Sequence, residues 1–299
     1  MKRRVGIIGA RGYVGRELTA LVRSHEHLEL ALETSRSEGA APQAVAAAKL
    51  DAYFLALPNG VTAVYADTIA QARPDAVLID LSADHRFDET WTYGQPERRR
   101  DALRGATRIA NPGCYATAAQ LALLPLVPLL DGPASVFGVS GYSGAGTTPS
   151  PKNDPEVLRD NLLPYALVDH VHEREIAHQL GCKVFFSPHV APFFRGITVT
   201  VSVALSEPCS HAALWQRYEH TFTEERLVRL STEPPLVRDI QARHHVAIGG
   251  LSVSKDGGHA VIVATIDNLL GGAATQALRN LNLAFGLDEL TGIPHAETD

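Results

Sequence analysis

A cysteine that follows an Asn-Pro-Gly turn and opens a helical pattern is a candidate nucleophile. It occurs once, in Ile109-Ala110-Asn111-Pro112-Gly113-Cys114-Tyr115-Ala116-Thr117. Pro112-Gly113 marks a turn. From Tyr115 the apolar residues Ala118, Leu121, Ala122 and Leu124 fall at helical spacing. Cys114 is therefore expected at or just before a helix N-terminus, where the dipole favours thiolate and lowers the thiol pKa. A thiolate so placed can attack carbon. The plainer fate of a free cysteine, a small apolar side chain packed under a loop, fits Cys182 and Cys209. A nucleophilic cysteine needs a proton partner, and Asp169-His170-Val171-His172-Glu173-Arg174-Glu175 is the dense cluster of histidine and acid. Ile176 stands where a zinc-protease helix would need its second histidine, so no metal site is expected. His189 is a weaker candidate, and His244-His245 reads as surface.

An anionic substrate needs donors. Arg86 follows a strand pattern, and ligands of doubly wound folds gather at such carboxyl ends. Ser140-Gly141-Tyr142-Ser143-Gly144-Ala145-Gly146-Thr147 is a glycine-rich loop whose N–H groups could form an anion nest. Nearer the start, Gly9-Ala10-Arg11-Gly12-Tyr13-Val14-Gly15 follows a strand and opens a helix. Glycine there permits a tight turn and close approach of a pyrophosphate to the helix N-terminus. At the end of the second strand, Glu33 could hold a ribose 2′-hydroxyl, which would favour NAD. Ser35, Arg36 and Ser37 could hold a 2′-phosphate, and this more specific signal favours NADP.

The elements that must position these residues fall into two parts. Val5–Ile8, Leu28–Leu32, Ala52–Leu57 and Ala76–Leu81 read as strands, separated by helical stretches at Val14–Ser24, Ala41–Lys49 and Val61–Ala72. This alternation predicts an α/β, Rossmann-type doubly wound parallel sheet. Beyond it, Ser135–Ser140, Val184–Ser187, Ile197–Leu205, Val246–Val253 and His259–Ile266 are β-rich, with helices near Pro155–Asn161 and His211–His220. They predict an α+β domain whose mixed or antiparallel sheet carries helices on one side. Ala273–Phe285 reads as a last, amphipathic helix. Composition agrees with an ordinary globular protein: 299 residues, 45% hydrophobic, 20% charged, net charge −6. That acidity argues against nucleic acid. Three cysteines exclude a disulfide framework and fit a reducing compartment. The N-terminus lacks a continuous apolar core, and Pro125 and Pro128 interrupt Ala116–Leu130, so a cytoplasmic protein without membrane contact is expected.

Together these residues resemble the N-acetyl-γ-glutamyl-phosphate reductase family, acyl-phosphate reductases of arginine biosynthesis, from Val5 to about Phe285. The match is carried by Gly9-x-x-Gly12-Tyr13-x-Gly15-x-Glu17-Leu18, by Leu81-Ser82-Ala83-Asp84-x-Arg86 and by the stretch Ile109–Pro125. Ser140-Gly141-x-Ser143-Gly144-Ala145-Gly146, His170-x-His172-x-x-Glu175-Ile176 and Asp267-Asn268-Leu269 with Asn280-x-Asn282 complete it. The resemblance implies a glyceraldehyde-3-phosphate dehydrogenase-like fold. Residues 1–113 and 270–299 would bind the dinucleotide, and residues 114–269 would form the catalytic and oligomerisation domain of a dimer or tetramer. It implies NADPH, held by Gly9, Gly12, Tyr13, Val14, Gly15, Ser35, Arg36, Ser37, Pro58, Ser82 and Asn268. Cys114 would form a thioester with a small acyl phosphate, and His170 or His172 would move the proton. Arg86 with Ser143 and Gly144 would hold phosphate, while Asn111 and Glu175 would orient the substrate or the histidine. Three departures stand out: a short stretch between Ser37 and Leu50, Thr147 where a basic residue often follows Gly146, and Glu173-Arg174 inside the histidine motif. The alternatives are an aspartate-semialdehyde or carrier-linked aminoadipyl-phosphate reductase, and a non-catalytic NADP-binding protein.

Overall fold

Short apolar runs closed by glycine or proline become strands in the computed structural model, which describes residues 2–34 and 40–294. The chain divides into two units, residues 1–113 with 273–299 and residues 114–272.

The first unit holds six parallel strands: β1 (Arg3–Ile8), β2 (Leu28–Thr34), β3 (Ala52–Leu55), β4 (Val77–Asp80), β5 (Thr92–Tyr93) and β6 (Arg108–Ala110). Their order is β2-β1-β3-β4-β6-β5. The helices α1 (Tyr13–Ser24), α2 (Pro42–Ala47), α3 (Thr62–Ala72) and α4 (Pro96–Leu103) connect them. β3 and β4 are buried at every position, as central parallel strands covered on both faces must be. The order reverses between β1 and β3, so the carboxyl ends of these strands form a crevice for a ligand. β5 and α4 escape the sequence reading because a two-residue strand and a helix with Arg99 out of helical geometry carry no period.

The second unit begins with α5 (Cys114–Leu123), buried at every residue after Cys114. Seven strands follow: β7 (Ala134–Gly141), β8 (Leu163–Pro164), β9 (Val184–Ala191), β10 (Ile197–Ala204), β11 (Val228–Ser231), β12 (Val246–Val253) and β13 (His259–Ile266). The sheet is mixed, in the order β11-β12-β13-β10-β7-β9-β8. On β10, Ile197, Val199, Val201 and Val203 face the core while Thr198, Thr200 and Ser202 face outward. Each such Val or Ile contributes roughly 1.5–3 kcal/mol by leaving water. The core is closed by α5, α7 (Val171–Leu180) and α8 (His211–Phe222), through residues such as Leu121, Ile176, Leu214 and Tyr218. The predicted Pro155–Asn161 helix shrinks to α6 (Pro155–Leu158), because Arg159 turns extended and Asp160 adopts φ 50°. A short α9 (Val237–Ile240) completes this unit's helices.

A π turn at Leu270–Ala274 leads into α10 (Thr275–Ala284), and from Ala273 the chain clusters with the first unit. The amphipathic expectation needs correction here. Thr275 to Leu283 are all buried, so the polar stripe meets protein instead of water. Gln276 and Asn280 donate to the carbonyl of Gly94 at 2.9 Å. Arg279 pairs with Glu97 and Glu289, and Arg100 also reaches Glu289 at 2.7 Å. Asn282 accepts from buried His25 and donates to the carbonyl of Thr291. Among the described residues no helix is long and apolar enough to cross a membrane.

Candidate active site

The glycine turn is fixed by crowding. Gly9 has φ 97°, and a Cβ there would lie 2.1 Å from the Ala56 carbonyl oxygen. At Gly15 a Cβ would lie 2.2 Å from the Gly9 carbonyl oxygen. Gly12 differs, since its Cβ would meet only that same oxygen at 3.4 Å. The fold itself demands glycine at 9 and 15, while at 12 it leaves space above the start of α1, which no side chain caps. This cradle fits a pyrophosphate at the N-terminus carrying Tyr13 and Val14. Pro58 lies exposed beyond β3, next to the crevice. The adenine-side residues Ser35, Arg36 and Ser37 lie outside the described residues. Glu33, the alternative ribose reader, has its carboxylate held by Arg23 at 2.5 Å.

The loop after β4 is tightly bonded. Asp80 accepts from the Ser82 N–H and from His85 Nδ1, both at 2.7 Å. Ser82 Oγ accepts from the Asp84 N–H, and Asp84 accepts from the N–H groups of Gly60 and Thr62. The guanidinium of buried Arg86 donates to the carbonyls of Asn111 at 3.0 Å and Leu81 at 3.3 Å. The Asn111 side chain accepts from Asn280 at 3.0 Å. Arg86 and Asn111 are thus brought together at the ends of β4 and β6.

In the second unit Cys114 is the first residue of α5, partly exposed and unoxidised. Gly272 makes room for it: a Cβ at 272 would lie 2.6 Å from that of Cys114. Asp267 shapes this approach. Its carboxylate accepts from Arg195, from the Ala242 N–H and from the N–H groups of Leu269 and Leu270, and its carbonyl accepts from the Gly272 N–H. The ring of Tyr115 lies 5.9 Å from that of His172, which lies 4.9 Å from His170. Tyr165 packs 5.4 Å from His170. Burial raises the Tyr165 hydroxyl pKa, and the charge of Cys114 raises it further. His170 caps α7, its Nδ1 accepting the His172 N–H at 3.1 Å. Burial, then the charge of Lys152, lowers His170 to about 4. It is therefore neutral at pH 7. Glu175 is fully buried on α7. Glu173 accepts from the N–H groups of Phe186 and Asp169, which ties α7 to β9.

Ser143 and Asn268 also meet. Asn268 donates to Ser143 Oγ at 2.9 Å and accepts from the Gly196 N–H at 2.7 Å. Both ends of the Asn268 amide, expected at the cofactor, are thus engaged inside the second unit. Gly144 sits beside Ser143, where a Cβ would come within 3.0 Å of Ser140 Oγ. Sequence reasoning missed Tyr165 and Arg195 as neighbours of this site, and quoted Asp267 only as part of the closing motif, without a role. Only the dipeptide Arg195-Gly196 between two strand patterns signalled a turn there. No metal-holding group of His, Cys, Asp and Glu occurs among the described residues.

Comparison with known proteins follows the same division. The family described as semialdehyde dehydrogenase, NAD binding domain, matches residues 4–106, and semialdehyde dehydrogenase, dimerisation domain, matches residues 114–268. Among solved structures, aspartate semialdehyde dehydrogenase II from Vibrio cholerae superposes with a TM-score of 0.78, covering 96% of this chain and 99% of its own, at 20% identity. That likeness shows the fold. N-acetyl-gamma-glutamyl-phosphate reductase of Stenotrophomonas maltophilia is 49% identical, covering 97% of this chain and 98% of that protein. The protein of the same name from Xylella fastidiosa is 50% identical, covering 97% and 95%. With half its residues shared along nearly the whole length, the chain belongs to the N-acetyl-gamma-glutamyl-phosphate reductase family.

Proposed function

We propose that this chain is the NADPH-dependent reductase that converts N-acetyl-γ-glutamyl phosphate to N-acetylglutamate 5-semialdehyde in arginine biosynthesis, through a thioester on Cys114. The observation that carries this reading is Cys114 at the first position of α5, with Gly272 against its Cβ and a series of rings, His172 then His170, that starts at its neighbour Tyr115. The Cys114 sulfur attacks the acyl carbon, the carbon–oxygen bond to phosphate breaks, and phosphate leaves. NADPH, when bound, supplies a hydride to the thioester carbon. The protein then holds the oxygen that gains charge, and the carbon–sulfur bond breaks to give the aldehyde and restore the thiolate.

His172 is the better acid–base group, because His170 already uses Nδ1 to cap α7 and is held neutral. His170 positions it. In this reading Arg86 with Ser143 and Gly144 holds phosphate, while Asn111 and Glu175 orient the substrate or the histidine. Gly9, Gly12, Tyr13, Val14 and Gly15 cradle the cofactor, with Pro58 and Ser82 near its nicotinamide end and Ser35, Arg36 and Ser37 on its 2′-phosphate. The Arg23–Glu33 pair supports NADP over NAD, since it removes a free carboxylate from the ribose end. The outer face of the seven-stranded sheet presents Phe137 (44% exposed) and Phe185 (52%), which suits burial in a homodimer. The three free cysteines fit action in the cytoplasm.

The test is the reverse reaction, followed by NADPH absorbance with N-acetylglutamate semialdehyde, phosphate and NADP, and repeated with NAD. A phosphate-dependent signal stronger with NADP is expected. Turnover only with aspartate semialdehyde would replace this substrate, and no turnover with any semialdehyde would sink the reading.

A further inference from the structure

We infer that Lys152 is a second cation, besides Arg86, that holds the phosphate group of the acyl phosphate beside Cys114. The inference rests on the reading above and assigns a residue to its leaving group.

The ammonium of Lys152 lies 4.9 Å from the centre of the Tyr165 ring. Tyr165 packs on His170 at 5.4 Å, His170 on His172 at 4.9 Å, and His172 on Tyr115, the neighbour of Cys114. The charges of Lys152 and Cys114 both reach this cluster, one acting on His170 and the other on Tyr165. Among the described residues no carboxylate pairs with Lys152. Its turn is built to hold still. The Ser150 N–H donates to Asn153 Oδ1 at 2.8 Å, and Asn153 Nδ2 donates to the carbonyls of Gly146 and Thr148 at 2.9 and 2.8 Å. These bonds fasten the backbone turn that carries Lys152 to the glycine-rich loop at Gly146. An ammonium over the Tyr165 ring, half-buried and with no carboxylate partner among the described residues, suits a dianion. The substrate carries two anionic groups. Phosphate is bonded to the carbon the sulfur attacks, whereas the carboxylate lies at the other end of the carbon chain. The group nearest Cys114 is therefore the phosphate.

The test compares wild type with Lys152→Met and Lys152→Arg. One readout is the KM for phosphate in the reverse reaction. The other is the concentration of inorganic phosphate that half-protects Cys114 from alkylation, which requires no turnover. Loss of one charged hydrogen bond should raise both values about tenfold to a hundredfold in Lys152→Met. Lys152→Arg should restore most of the loss, and the KM for the semialdehyde should stay within about twofold. Unchanged phosphate values in Lys152→Met would overturn the inference. So would a rise in the semialdehyde KM alone, which would make Lys152 a carboxylate binder. Equal losses in the Met and Arg variants would also overturn it, since they would mark a structural residue. If wild type fails to turn over, the proposed reaction falls, while phosphate protection still decides the role of Lys152.

Discussion

The glycine turn of the first unit and the thiol site of the second are built by different means. Seven consecutive residues make the turn, and backbone crowding decides Gly9 and Gly15. The thiol site draws on Cys114, on the loop around Ser143, on Lys152 and Tyr165, on the start of α7 and on Asp267 to Gly272. Its parts are fixed by side chains: Asn268 pins Ser143, Asn153 pins Gly146, and Asp267 shapes the turn against Cys114. A binding cradle can be written in one local motif because the backbone does the binding. A covalent site needs a nucleophile, an acid–base group and anion donors, which no single stretch of chain can supply.

The comparison breaks most sharply at Cys114. Cys114→Ala should reduce turnover on the order of 10⁴-fold or more while leaving NADPH affinity within about twofold. Stopped-flow turnover and fluorescence titration of NADPH check the two halves. His172→Gln should cost about 10²–10⁴-fold in kcat and flatten the pH–rate profile, whereas His170→Asn, which preserves a cap, should cost less. If His170→Asn is the more damaging, the assignment of the two histidines reverses.

Gly9→Ala forces a Cβ onto the Ala56 carbonyl at positive φ, and should destabilise by roughly 2–4 kcal/mol. Calorimetry should show a Tm drop of roughly 5–15 °C. Gly12→Ala should change stability by less than about 0.5 kcal/mol yet weaken NADPH binding, because only a ligand needs that space. Equal effects on stability at the two positions would contradict this division.

The smallest effect is in pH dependence. Burial and Lys152 hold His170 at about 4, below its ordinary 6.5. Its contribution to stability is complete above pH 6.5 and is lost as pH falls toward 4. His85 runs the other way. Burial alone would lower it, but the Asp80 carboxylate outweighs burial and raises it. That stabilisation is present below its ordinary value and is lost as pH rises through the raised one. Tm measured against pH should flatten between 4 and 6.5 in His170→Asn, and on the alkaline side in His85→Phe.

The sequence makes the alternation of the first unit legible because parallel strands are short, apolar and separated by helices of ordinary length. The Cys114 loop and the histidine pair are legible because their residue types carry the chemistry. Other features are not. The last helix reads as amphipathic, yet Arg279, Asn280 and Asn282 find their partners inside the protein, and one sequence period cannot distinguish water from Glu97 and Glu289. The partners of Asn111 and Asn268 are not legible either, since Asn280 and Gly196 lie far from them in the chain. Arg195 and Lys152 carry no motif of their own, because their partners Asp267 and Tyr165 lie elsewhere in the chain.

The most direct test of the central claim omits phosphate. The enzyme is mixed with N-acetylglutamate semialdehyde and NADP, NADPH is followed in the first turnover, and the acid-quenched protein is weighed by mass spectrometry. A Cys114 thioester predicts one NADPH per chain, then arrest, with an N-acetylglutamyl group on the Cys114 peptide that added phosphate discharges. No burst, or an acyl group on any other residue, would contradict it.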